Sequence, residues 1–161
     1  MEREKTARLA RQVSLLLREY MAVQEDLFKP TLRKIVRLPF FYTPVDYRAN
    51  CLKLEALIQE LGAVKSAIRK GNPEGTLPEG KFLALLRGYV SLMGTAAEKL
   101  REICGRLEER SGGAPYSRQE YKIDMAELRQ IQKKHLDAGV ALNTQLKDLD
   151  HPPSPGQDCV C

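Results

Sequence analysis

KFLALLRGYVSLMGTAAEKLREICGRL, residues 81–107, decides the fold. Leu83, Leu86, Val90, Met93, Ala97, Leu100, Cys104 and Leu107 follow one another at steps of three and four. That spacing places all of them on one face of an α-helix. Arg, Glu and Lys fill the intervening positions, so the opposite face is wet.

Three more stripes of the same kind flank this one. The first runs Leu9, Val13, Leu16, Tyr20, Val23 and Leu27. The second runs Tyr47, Cys51, Leu54, Ile58, Leu61, Val64 and Ile68. The last runs Tyr121, Met125, Leu128, Ile131, His135, Leu142, Leu146 and Leu149. It is interrupted at Ala138 and Gly139, which are small enough to let another helix approach. Helices are therefore predicted at about 3–29, 44–70, 79–110 and 118–149.

Capping chemistry supports these ends. Thr43-Pro44 with Asp46 is read as a start, with Thr43 as the cap and Pro44 in the first turn. Ser117 and Glu120 have the spacing of a capping box. Gly71 after Arg69-Lys70, and Gly112-Gly113 after Arg110-Ser111, read as stops. Short connections favour antiparallel neighbours. The expectation is an all-α, up-down-up-down four-helix bundle over residues 1–150, followed by a Pro-rich tail at 151–161. The same stripes can equally seal against a second chain, giving a homo- or hetero-oligomer of coiled-coil type.

A chain of 161 residues is long enough to bury its own core without a metal or disulfide. No apolar run reaches the roughly 20 residues a bilayer requires, and the start, Met1-Glu2-Arg3-Glu4-Lys5, lacks the apolar stretch of a secretory signal. A cytoplasmic location is expected. Cys51 and Cys104 sit on stripes, where thiols pack as small hydrophobes.

Catalysis finds little to use. His135 falls on a core stripe with no nucleophile near it in sequence, and is expected to be a hydrogen-bonded interior or rim side chain. No His-x-x-x-His, Glu-x-x-His or Cys-x-x-Cys occurs, so no metal and no cofactor is called for. The acids are read as lying off the apolar stripes. Residues 71–80 are Gly-rich but lack the Gly-Lys-Ser/Thr of a phosphate loop.

Charge is more informative. The net charge is +5, and residues 1–38 carry nine Lys or Arg against five acids. Lys29, Arg33, Lys34 and Arg37 come without an intervening acid, and Phe40, Phe41 and Tyr42 follow. Cations beside aromatics suit a docking surface for an acidic partner. Residues 118–150 hold six cations and six acids, and no basic stripe, recognition helix or zinc finger marks a nucleic-acid binder.

The tail ends Cys159-Val160-Cys161. This ending resembles the Cys-x-Cys terminus of Rab-type vesicle GTPases, where both thiols carry geranylgeranyl groups. The resemblance covers three residues and implies lipid attachment at Cys159 and Cys161, with peripheral membrane contact. The rest of the chain departs from that family and has no GTPase phosphate loop; Asp158 also rules out a Cys-a-a-X box.

The expected function is that of a non-enzymatic adaptor or structural component binding an acidic protein assembly, with cytoskeletal filaments such as microtubules one candidate class. Lys29, Arg33, Lys34 and Arg37 would pair with it, and Phe40, Phe41 and Tyr42 would anchor it. The alternatives are a lipid-anchored trafficking adaptor, and a bundle enzyme or ligand carrier built around a polar pocket near His135 and Gly139.

Overall fold

The computed structural model describes residues 2–28, 44–71 and 78–150, with side chains from residue 4 to residue 147 of these. Four helices account for nearly all of them: α1 (Glu2–Phe28), α2 (Tyr47–Lys70), α3 (Pro78–Ser111) and α4 (Arg118–Asp150). An all-α four-helix arrangement is thus present.

The helix ends follow local chemistry, with one correction. α2 starts at Tyr47 and is capped by Asp46, whose carboxylate accepts from Ala49 N at 2.9 Å. Thr43 is not the cap, and Pro44 lies outside the helix. A carboxylate one residue before the helix reaches the free N–H groups and meets the positive end of the dipole; Thr43 lies outside the described residues. The capping box at α4 is formed in both directions. Glu120 N donates to Ser117 Oγ at 3.1 Å, and Ser117 N donates to the Glu120 carboxylate at 2.7 Å. Gly113 takes a positive φ of 102° just after α3, a conformation that favours glycine.

The core is unevenly shared. The stripe of α1 is buried from Val13 to Leu27. α2 buries Leu54, Leu57, Leu61, Val64 and Ile68. α3 buries far more than its predicted stripe, adding Phe82, Tyr89, Ala96 and Ile103. The reason is its position: α1, α2 and α4 all pack on it. Contacts pair α2 with α3 in opposite directions. Cys104 Sγ donates to Tyr47 O at 3.2 Å, Arg101 reaches Glu55, and Gly71 meets Leu83. Asn50 donates to Asp26 at 2.6 Å and ties α2 to α1.

α4 is different. Leu128 is its one side chain in the buried apolar cluster among the described residues; Leu146 is exposed, and Tyr121, Met125, Ile131 and Leu142 are half-buried. A polar network does much of its anchoring. Asp124 is buried, contrary to the expectation that acids lie off the stripes. It accepts from Tyr116 Oη at 2.7 Å, Lys99 Nζ at 2.9 Å and Arg106 at 2.7 Å. Lys99 also reaches Glu102 at 3.2 Å and Glu127 at 2.6 Å. Burial works against the Asp124 charge, but the bonds from Tyr116 and Lys99 and the nearby cations outweigh it, so its carboxyl stays below the usual range.

Removing a buried carboxylate with three donors destabilises the fold strongly, because the Tyr116 hydroxyl loses its partner and Lys99 and Arg106 keep only the exposed Glu102 and Glu127. Asp124→Ala is expected to lower unfolding stability in urea by about 3 kcal/mol, and Tyr116→Phe by about 2 kcal/mol. Glu55→Gln, which removes an exposed partner of Arg101, should leave the urea midpoint where it is. Equal losses from Asp124→Ala and Glu55→Gln would show that the network does not anchor α4.

Candidate partner-binding groove

The predicted docking residues Lys29, Arg33, Lys34, Arg37, Phe40, Phe41 and Tyr42 lie outside the described residues, as do Cys159 and Cys161. His135, Gly139, Cys51 and Cys104 lie within them. Cys104 is buried and Cys51 is half-buried; both thiols are free. Burial is the largest influence on Cys104 and pushes its thiol well above the ordinary range, which keeps it unreactive.

His135 and Gly139 lead to the groove. No Cα of α1 comes within 8 Å of one of α4, although each of these helices packs closely on α3. The fourth side of the bundle is therefore open. Among the described residues Gln132 reaches across it, donating to Tyr20 Oη at 2.8 Å and to Gln24 at 3.0 Å. These residues help line a trough of about 470 Å³, together with Leu17, Tyr89, His135 and Gly139. A second hollow of about 210 Å³ shares Leu17, Tyr89, Gly139 and Asn143 with it and continues to Ala10 and Leu146. Together they run along α1 from Ala10 to Gln24, on the order of 20 Å at ~1.5 Å per residue.

The floor is set by the small residue in α4. The Tyr89 ring lies 3.2 Å from where a Gly139 Cβ would stand. Gly139 therefore admits a ring from α3 rather than a neighbouring helix backbone. His135 stacks on the same ring, with centroids 4.2 Å apart and planes 31° from parallel. The expected hydrogen-bonded histidine is corrected in one respect: its Nε2 is buried with no partner. The tilted packing of the ring on Tyr89 holds it in place without a hydrogen bond from that nitrogen. Burial pulls the His135 pKa below the ordinary imidazole value, so the ring is neutral at pH 7.

The edges are apolar, and beyond them they are basic. Leu136 is 70% exposed, Val140 62% and Met21 44%. Arg129 and Lys133 stand seven and three residues before Leu136, and Lys147 stands seven after Val140. Those spacings put the three cations on the same side of α4 as the trough. On α1, Arg18 stands three residues before Met21, and Arg11 lies two turns earlier. All five are exposed; Glu25 on α1 and Asp137, three residues before Val140 on α4, are the acids at these margins.

The equal count of charges in residues 118–150 concealed this. Asp124 and Glu127 face Lys99 on α3, whereas helical spacing sets Arg129, Lys133 and Lys147 beyond the exposed Leu136 and Val140. A periodicity count of cations alone would have found the α4 stripe. The missing closure between α1 and α4 left no signal in either helix.

Among the described residues, no group of three His, Cys, Asp or Glu side chains could hold a metal, and no helix is long and apolar enough to cross a membrane. Comparison with protein-family models, curated proteins and solved structures finds no match.

The orphaned ring nitrogen gives a pH signature. Only the unfolded chain takes up a proton on His135 readily. Its contribution is thus intact above the unfolded-state pKa of about 6.5 and declines as pH falls from there towards the lower folded-state value. Urea unfolding at several pH values between about 7.5 and 5 should show falling stability, and His135→Leu should flatten that limb. An identical slope in the variant would refute the assignment.

Proposed function

We propose that this chain is a non-enzymatic adaptor that holds an acidic protein partner on its surface. The observation that supports this best is the trough between α1 and α4, with its exposed Met21, Leu136 and Val140 inside a border of Arg11, Arg18, Arg129, Lys133 and Lys147. Apolar surface flanked by a net excess of positive charge gives a partner both burial and steering. The cations Lys29, Arg33, Lys34 and Arg37, with Phe40, Phe41 and Tyr42, extend the same preference elsewhere in the chain. An acidic filament such as a microtubule is one candidate of this class.

The carrier alternative fits the trough less well. It is a furrow open along one side, so it suits a segment of another polymer better than a small enclosed ligand.

Two charge-reversal variants divide the work between the surfaces. Arg18→Glu with Arg129→Glu and Lys133→Glu reverses the trough border, and Arg33→Glu with Lys34→Glu reverses the other cluster. Binding to polymerised tubulin and to immobilised poly-glutamate should weaken by about tenfold or more in the first variant, and more weakly at high salt in the parent chain. Helicity and melting temperature should be unchanged. If neither acidic polymer binds the parent chain, or if both variants bind as it does, the adaptor assignment fails.

A further inference from the structure

We infer that the trough between α1 and α4 receives an amphipathic α-helix of about four turns, with acidic residues along both margins of its apolar stripe. This rests on the adaptor assignment and specifies the partner at that same surface.

Shape argues for a helix. The trough is about 20 Å long, which a helix of about 14 residues spans. Leu17 and Met21 on α1, and Leu136 and Val140 on α4, form rows at i, i+4 spacing. Such rows are the ridges between which a further helix seats its own. The lining is mostly apolar, Gln132 is already committed to Tyr20 and Gln24, and Asn143 and the His135 Nε2 are too few to pair with an extended backbone along about 20 Å. An extended segment laid there would leave backbone N–H and C=O groups without partners. A helix satisfies its own.

Charge selects among helices. Five cations edge the trough against two acids, Glu25 and Asp137, so the margin is basic on balance. A second copy of this chain would bring the same cations against them, so self-association through this face is opposed. The chain's own unplaced segments fit no better. Residues 29–42 hold Lys29, Arg33, Lys34 and Arg37 and no acid, and residues 151–161 hold Pro152, Pro153 and Pro155, which cannot continue a helix. A foreign helix with Glu or Asp at its margins meets neither objection. Its fit follows helix-in-groove recognition, with apolar anchors at i, i+3, i+4 and i+7.

The test uses the full chain and synthetic peptides of about 15 residues. The first peptide has Leu at helical spacing with Glu at the flanking positions. A second replaces Glu with Lys. A third keeps the composition of the first but carries central prolines that prevent a helix. Nitrogen-15 and methyl NMR spectra locate the binding, with the His135 and Tyr89 ring signals as reporters of the floor. The acidic helical peptide should shift resonances along Leu17, Met21, Leu136 and Val140 and become helical on binding. The Lys and proline peptides should bind at least about tenfold more weakly. Met21→Glu with Val140→Glu should lose the acidic peptide while the melting temperature holds, since both side chains are exposed in the free chain.

Equal binding of the proline peptide would overturn the helical occupant and leave the adaptor assignment standing. An acidic peptide whose shifts map away from the trough would do the same. No binding of any acidic peptide would remove both. Concentration-dependent dimerisation abolished by Val140→Glu would assign the face to a second copy, and shifts produced by anionic phospholipid vesicles but not by peptide would assign it to a membrane; either outcome overturns the inference.

Discussion

A helical bundle closes when every helix finds a neighbour on each side, and here, among the described residues, α4 finds one close neighbour, α3. The rest of the architecture follows from that constraint. α3 carries contacts to all three other helices and buries two faces, with Met93, Ala96, Ala97, Leu100, Ile103 and Cys104 wholly inside. Its small residues, Ala96 and Ala97, allow close approach from more than one direction. α1 settles against α2 and α3, and the gap opposite it is left to Gln132, Tyr20 and Gln24.

A helix that buries little apolar surface needs another means of attachment. α4 has two. Near its start, Asp124 collects Tyr116, Lys99 and Arg106, and so fixes both the helix and the turn before it onto α3. Further along, Gly139 and His135 accommodate the Tyr89 ring. A buried ionic network is sensitive to geometry and therefore specifies how α4 sits, while contributing less net stability than an apolar seam of equal area. That division matches an exposed face retained for recognition: α4 is held at defined points, and the side turned towards α1 keeps Leu136 and Val140 in solvent.

Much of the fold was legible in the amino-acid order. The stripe of α1 is buried nearly as read, and the Ser117–Glu120 box forms with both of its hydrogen bonds. The candidate site was legible only in fragments. His135 and the small residues at 138–139 stood out, but nothing near them in sequence indicated that Tyr89 would occupy the space or that α1 would stay away. The basic border was hidden by arithmetic: equal numbers of cations and acids in residues 118–150 read as balance, although two of the acids, Asp124 and Glu127, turn to Lys99 instead. Asp124 was missed because its partners come from α3 and from the turn at Tyr116.

Apolar periodicity and capping are local: they depend on residues three or four apart and on the few atoms around a helix end. The linear order by itself therefore determined that four helices form, roughly where each begins and stops, and which face of each is greasy. Which greasy faces meet depends on contacts between residues a hundred positions apart, such as Tyr20 with Gln132. Tertiary packing alone decided that α3 would be central, that an acid on α4 would be drawn inside, and that one side of the bundle would remain an open, positively edged furrow. The physical reason is that helix packing satisfies volume and charge across the whole assembly, and no single stripe carries the sum.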